Sequence, residues 1–222
     1  NKAMSMGPCL LVQVKLRALM IGVVGIILGA AAIITASAFY GGTEGVEVPV
    51  IMYHSLLKDE ARHGKYVLTP AEFENDLQYH SAHGYTTILT EDLVAYTKGD
   101  ELPQKPVIIS FDDGYYSNYL YAFPLAQKYQ MKFIISPIGR YVDAYSETGE
   151  TNAYYSHATW DHLKEMQQSG LVEVQNHSYD LHEKRAGALG AAKRPGESDA
   201  GYRERLRTDL IKAQKAFSDN LG

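Results

Sequence analysis

The sequence predicts an α/β fold built on a parallel sheet, either open or closed into a barrel. Two observations carry that expectation. Five short apolar runs alternate with helical patterns, the signature of strand–helix–strand units. Three of those runs end in side chains that do chemistry: His54, the pair Asp112 and Asp113, and His177. Parallel α/β sheets gather their chemistry at the carboxyl ends of the strands. A third feature stands apart from the domain: Ala18 to Tyr40 carries no charge, which predicts a transmembrane helix ahead of it.

At 222 residues and 45% hydrophobic composition, the chain is long enough for one large domain or two small ones, with a real core. The formal net charge is -5. Residues 1–40 hold Lys2, Lys15 and Arg17 and no acid, a charge of +3, so -8 falls on the remainder. A mildly acidic body without a basic cluster argues against nucleic acid and polyanionic substrates. Cys9 is the single cysteine. It leaves no intramolecular disulfide and no multi-cysteine zinc site, so a metal here needs histidine and carboxylate.

As a helix, Ala18–Tyr40 spans about 34 Å, enough for a bilayer core. Lys15 and Arg17 precede it and no Lys or Arg follows closely. The arm 1–17 is therefore expected in the cytoplasm, with 18–40 as a single-pass anchor, 41–47 as a linker and 48–222 outside. A signal peptide cleaved after Ala38 is the rival, since Ala36-Ser37-Ala38 fits a cleavage site. The apolar region is long for a signal peptide, which favours the anchor. Both readings export the domain.

Val48 to His54 reads as a strand with a polar tip. Thr69-Pro70-Ala71-Glu72 starts a helix, with Thr69 as N-cap, Pro70 at the first helical position and Glu72 closing a capping box. Phe73, Leu77 and His80 continue it until Gly84. Tyr85–Leu89 is a strand, and Thr90 is expected to cap a helix ending near Gly99. Pro106–Gly114 is an apolar run expected as a buried strand. Ser117–Gln130 is a helix carrying Pro124, and Lys132–Ile138 a strand. Asp143–His157 is polar and turn-rich and reads as a loop. Thr159 opens a helix to Gly170, Leu171–Asn176 is a fifth strand, Ala186–Gly201 reads as irregular, and Tyr202–Leu221 as a charged amphipathic helix.

Two adjacent carboxylates at the end of a buried strand are costly unless paired, hydrogen-bonded or bound to a metal. Successive strand side chains diverge, so Asp112 and Asp113 point to one metal ligand and one base. A plain Asp-Gly turn is the alternative reading. His177 and His182 are five apart, which on a regular helix leaves them roughly 140° apart. If both are ligands, residues 177–182 form a loop or distorted turn at the strand end. Two His and one Asp leave positions for water and substrate, as a catalytic site requires. Asp180 is a candidate for orienting a ligand histidine, or a solvated loop residue.

Ser110-Phe111-Asp112-Asp113-Gly114 and His177-Ser178-Tyr179-Asp180-Leu181-His182 resemble the first two motifs of the polysaccharide deacetylases (carbohydrate esterase family four, the NodB homology domain). The second motif has one residue more than the commoner spacing, which resembles the branch acting on poly-N-acetylglucosamine. Val50–His54 and Thr159-Trp160-Asp161 also resemble segments of that branch, so the likeness covers residues 48 to 182. The resemblance implies a distorted (β/α) barrel of about seven strands, here incomplete. It implies that Asp113, His177 and His182 hold a divalent metal, with zinc first among the choices, and that Asp112 is the general base. The implied reaction is de-N-acetylation of an extracellular N-acetylglucosamine polymer.

In that family the acid for the leaving amine is a histidine of a late motif. No segment after His182 looks like the later motifs, and the chain is expected to be a fragment of a longer protein, inactive by itself. His54 and Tyr115 are cleft candidates. Tyr115, Tyr116, Tyr119 and Tyr121 are candidates for stacking on sugars or for packing into the core. Two rival functions stand beside the deacetylase: another metal-dependent barrel hydrolase such as a phosphoesterase, and a membrane-anchored, non-catalytic carbohydrate-binding protein.

Overall fold

A computed structural model describes residues 45–62, 64–185 and 187–222. The arm 1–17, the expected membrane helix 18–40 and most of the linker 41–47 lie outside the described residues. Among the described residues, no helix is long and apolar enough to cross a membrane.

Residues 48–222 form one unit around a five-stranded parallel sheet. Its strands are β1 (Val50–Tyr53), β4 (Thr86–Thr87), β5 (Pro106–Asp113), β6 (Phe133–Pro137) and β7 (Val172–Val174). The order is β1-β5-β6-β7, with β4 paired to the first two residues of β5. All five strands fall where the apolar runs predict them. Two short ladders lie outside the sheet, β2 (Ser55–Leu56) with β3 (Val67–Leu68) and β8 (Lys184–Arg185) with β9 (Ala188–Leu189). The expected barrel is thus seen as a parallel sheet; among the described residues no strand lies beyond β1 or β7.

The helices are α1 (Pro70–Ala82), α2 (Thr90–Tyr96), α3 (Phe123–Tyr129), α4 (Gly139–Thr148), α5 (Trp160–Gln168) and α6 (Asp199–Leu221). α1 begins with the expected capping box: Thr69 Oγ1 accepts from the Glu72 N–H at 3.1 Å, and Glu72 accepts from the Thr69 N–H at 2.7 Å. Thr159 caps α5 through the His162 N–H.

Four expectations are corrected. The helix expected over 117–130 opens with a π-helical turn, Asn118–Ala122, in which the Phe123 N–H reaches the Asn118 carbonyl. Pro124 has no N–H to give to residue 120 and its ring crowds that carbonyl, so the turn widens ahead of it. Thr90 is the first residue of α2 rather than its cap; Asp92 accepts the Leu89 N–H at 2.8 Å instead. The supposed loop 143–157 begins as helix α4, which starts one residue after Ile138. Ala186–Gly201 contains β9 and the first turn of α6, whose N-cap is Ser198.

The alternation of β5 sets the two faces of the sheet. Ile109 and Phe111 join Phe133 and Ile135 in the main core, whereas Ile108 and Ile134 pack with Ile88 and Leu89 on the other face. Both faces are covered, which is why β5 reads as a continuous apolar run. In the main core Phe111 lies 5.2 Å from Phe73, 5.4 Å from Tyr53 and 5.2 Å from Phe133. Each such buried ring contributes about 1.5–3 kcal/mol, and this cluster fixes β1, β5 and β6 in one register.

Candidate metal centre

The register brings the chemistry together. Asp113 pairs with Pro137 of β6, and the Pro137 carbonyl accepts the His177 N–H at 2.9 Å. Three neighbouring strand ends are therefore level. On the far side, Tyr53 pairs with Phe111, so His54 follows at the level of Asp112.

Asp112 and Asp113 part as expected. Asp112 is half-buried and accepts from Ser110 Oγ at 3.3 Å, on the face of β5 shared by Ser110. Asp113 is only 4% exposed and has φ 67°. That left-handed conformation costs a residue with a Cβ about 1–2 kcal/mol, and such strain collects at functional sites.

Asp113 Oδ1 is buried and accepts no hydrogen bond. His182 Nε2 lies 3.2 Å from it and His177 Nε2 3.8 Å. One donor atom from each of Asp113, His177 and His182 falls within 4.8 Å of the others. In a tetrahedral site with bonds of about 2.1 Å, donors sit about 3.4 Å apart, a spacing that 3.2 and 3.8 Å bracket. A buried carboxylate oxygen without a donor, flanked by two imidazoles, is a fitting donor set for a borderline divalent cation.

Residues 177–182 have no regular secondary structure, as a shared role for histidines five apart demands. Ser178 also has positive φ, 70°. The start of α4 holds this loop: the Gly139 N–H donates to the Ser178 carbonyl at 3.1 Å and the Arg140 N–H to the Tyr179 carbonyl at 3.0 Å. These contacts also satisfy the otherwise orphaned N–H groups of the first turn of α4. Asp180, a candidate for orienting a histidine, pairs its carboxylate with Arg140 Nε at 2.8 Å. Arg140 further reaches Glu183 at 2.5 Å.

No motif or spacing singles out His157. It is buried, 8% exposed, and bridges to Tyr115 just after the aspartates. Its ring stacks with Tyr115 at 4.8 Å and Tyr141 at 4.3 Å, and its Nδ1 has no hydrogen-bond partner. Burial, with His182 and Arg140 nearby, holds its pKa down at about 4. Burial and the adjacent Asp113 push the Tyr115 phenol up. Of the other tyrosines, Tyr119 and Tyr121 pack partly buried against the main core, and Tyr119 donates to Glu165 at 2.7 Å. His54 lies at the sheet's carboxyl edge with its ring 4.7 Å from Tyr66.

The polysaccharide deacetylase family profile matches residues 99–222, more than half the chain. The chain belongs to the polysaccharide deacetylases. The matched region includes Asp112, Asp113, His177 and His182. Among curated relatives, the poly-β-1,6-N-acetyl-D-glucosamine N-deacetylase of Escherichia coli K12 is 28% identical over 184 residues, covering 73% of this chain and 27% of that protein. The enzyme of the same name from Staphylococcus epidermidis is 28% identical over 138 residues, covering 60% and 45%. The chain thus spans less than half the length of either. Among solved structures, a de-N-acetylase from Aggregatibacter actinomycetemcomitans superposes with a TM-score of 0.69 at 26% identity, covering 79% of this chain and 75% of that one. IcaB from Ammonifex degensii gives 0.65 at 28% identity, covering 80% and 71%. The α/β deacetylase fold is therefore this chain's fold.

Proposed function

We propose that this deacetylase hydrolyses the acetamide of N-acetylglucosamine units in a polysaccharide, using a divalent cation held by Asp113, His177 and His182. The observation that carries the proposal is the approach of the His177 and His182 nitrogens to the buried Oδ1 of Asp113, which accepts no hydrogen bond. The donor set suits zinc. The relatives named for poly-β-1,6-N-acetyl-D-glucosamine support that polymer as substrate.

A divalent cation bound there would polarise a carbonyl and lower the pKa of water. Asp112 then takes the proton from the attacking water. It leaves β5 beside Asp113 but on the other face, so it stays free of the ligand set. The leaving amine needs a proton. His54 is the histidine suited to give it: it sits one strand over, level with Asp112, and is half-exposed. His157 is unsuited, because a group that loses its proton at about pH 4 is neutral at working pH. This assignment puts the acid ahead of the metal motifs in the chain, rather than in a late motif as the resemblance implies.

The proposed setting is outside the cytoplasmic membrane, with residues 18–40 as the anchor, supported by the uncharged stretch that follows Lys15 and Arg17. The test of the activity is acetate release from β-1,6-linked N-acetylglucosamine oligomers by the purified protein extended through the later motifs of the family. A strong chelator should abolish release and added zinc should restore it. Release that persists in chelator, or no release from zinc-loaded protein, counts against the proposal.

A further inference from the structure

The loop that carries both histidines is gripped by a helix from the far end of the chain. Asp209, on α6, accepts the Tyr179 N–H with Oδ1 at 2.8 Å and the Asp180 N–H with Oδ2 at 2.8 Å. Each carboxylate oxygen takes one amide, and charge-assisted bonds of this kind are among the stronger ones in proteins. The two amides lie between His177 and His182 and directly follow Ser178, whose left-handed backbone is disfavoured for a side chain with a Cβ.

α6 is placed to do this by its own packing. Ala213 and Phe217, one and two i+4 steps beyond Asp209, are buried, so the three share one face of the helix. Phe217 meets Trp160 of α5 edge-on at 5.1 Å. Trp160 Nε1 donates to Asp143 at 2.9 Å, and Asp143 accepts the Tyr179 hydroxyl at 2.8 Å. Lys212 Nζ stands 3.8 Å above the Tyr179 ring. The anchor of the helix and the anchor of the loop are thus tied through one tryptophan and one aspartate.

We infer that Asp209 is a positioning residue for the metal centre: by clamping the amides of Tyr179 and Asp180 it fixes the separation and aim of His177 and His182. The inference rests on the metal reading above. With four residues between the histidines, the loop has slack, and α6 takes it up through Asp209. Removing the carboxylate leaves two amides without a partner, lets Ser178 relax and frees His182 to swing from Asp113.

The test is zinc affinity, measured on the purified chain by competition with a chromophoric chelator, together with amide hydrogen exchange across 176–183 in the metal-free protein. Asp209→Ala should speed exchange at Tyr179 and Asp180 and weaken zinc binding on the order of 10–100-fold, the usual cost of losing an outer contact to a metal ligand. Asp209→Asn, which keeps one acceptor oxygen, should fall between Asp209→Ala and the parent. A remote change, Thr69→Ala, which removes the side-chain cap of α1, serves as a control: it should lower the melting temperature without changing zinc affinity, so a loss in Asp209→Ala is not general destabilisation. Zinc affinity within twofold of the parent in Asp209→Ala overturns the inference alone. A parent chain that binds no zinc overturns the metal reading, and this inference with it.

Discussion

Gly114→Ala probes how the site is built. Gly114 follows Asp113 and has φ +74°, and a Cβ there would stand 2.3 Å from Pro137 Cβ and 2.7 Å from Pro137 Cα. Two costs follow. A left-handed backbone costs alanine about 1–2 kcal/mol. Forcing Pro137 aside costs a further 1–3 kcal/mol or about that, because Pro137 is buried and paired in register with Asp113. The expected loss is about 2–5 kcal/mol. Gly149→Ala is the reference: φ there is +67°, with nothing within 4 Å of the added Cβ, so only the backbone cost of about 1–2 kcal/mol applies. Urea unfolding read from the fluorescence of Trp160, the single tryptophan, gives both values. Gly114→Ala should be the worse by about 1–3 kcal/mol. Two variants agreeing within about 0.5 kcal/mol, the usual scatter of such comparisons, would refute the steric argument. Since the Pro137 carbonyl also holds the His177 N–H, Gly114→Ala should weaken metal binding as well.

Three further outcomes are expected. His157 folds neutral with its pKa lowered to about 4, so between about pH 6.5 and 4 the unfolded chain binds more protons and stability falls as pH falls, by up to about 3 kcal/mol. His157→Phe should flatten that part of the pH–stability curve, and an unchanged curve would show that His157 is not the cause. His54→Asn should keep metal content while lowering kcat for acetate release on the order of 10²–10⁴-fold; unchanged kcat removes His54 as the acid. With Cys9→Ser as background, Thr151→Cys, exposed beyond α4, should react with a membrane-impermeant thiol reagent in intact cells; labelling only after lysis would contradict the proposed topology.

Much of the scaffold was legible because its signals are local. The Thr69–Pro70–Glu72 cap and the apolar run ending at Asp113 each carry their structure within a few residues. α4 was not legible for a physical reason. Ile138, at its N-cap, makes no side-chain cap, and the first N–H groups are satisfied by carbonyls of Ser178 and Tyr179 about 40 residues away. Its one local signal is Gly149 at the left-handed C-cap, with Val142 and Tyr145 at helical spacing. Residue type and strand position point to two histidines and one aspartate, the family resemblance implies that the aspartate is Asp113, and the five-residue spacing implies the loop form of 177–182 if both histidines are ligands. His157, Arg140 and Asp209 act on that trio only through tertiary contacts, and no spacing announces them. The resemblance implies an acid from a motif after His182, whereas the register of β1 against β5 brings His54 level with Asp112.

The proposed mechanism turns on one division of roles, in which Asp113 holds a metal while Asp112 moves a proton. It is tested most directly by measuring metal content by elemental analysis, alongside acetate release from N-acetylglucosamine oligomers, in Asp113→Asn and Asp112→Asn. Asp113→Asn should lose metal, since a neutral amide oxygen is a poorer ligand than a carboxylate. Asp112→Asn should retain metal and lose turnover on the order of 10²–10⁴-fold. Metal lost from Asp112→Asn and kept by Asp113→Asn would reverse the two roles, and acetate release unchanged in both would contradict the account.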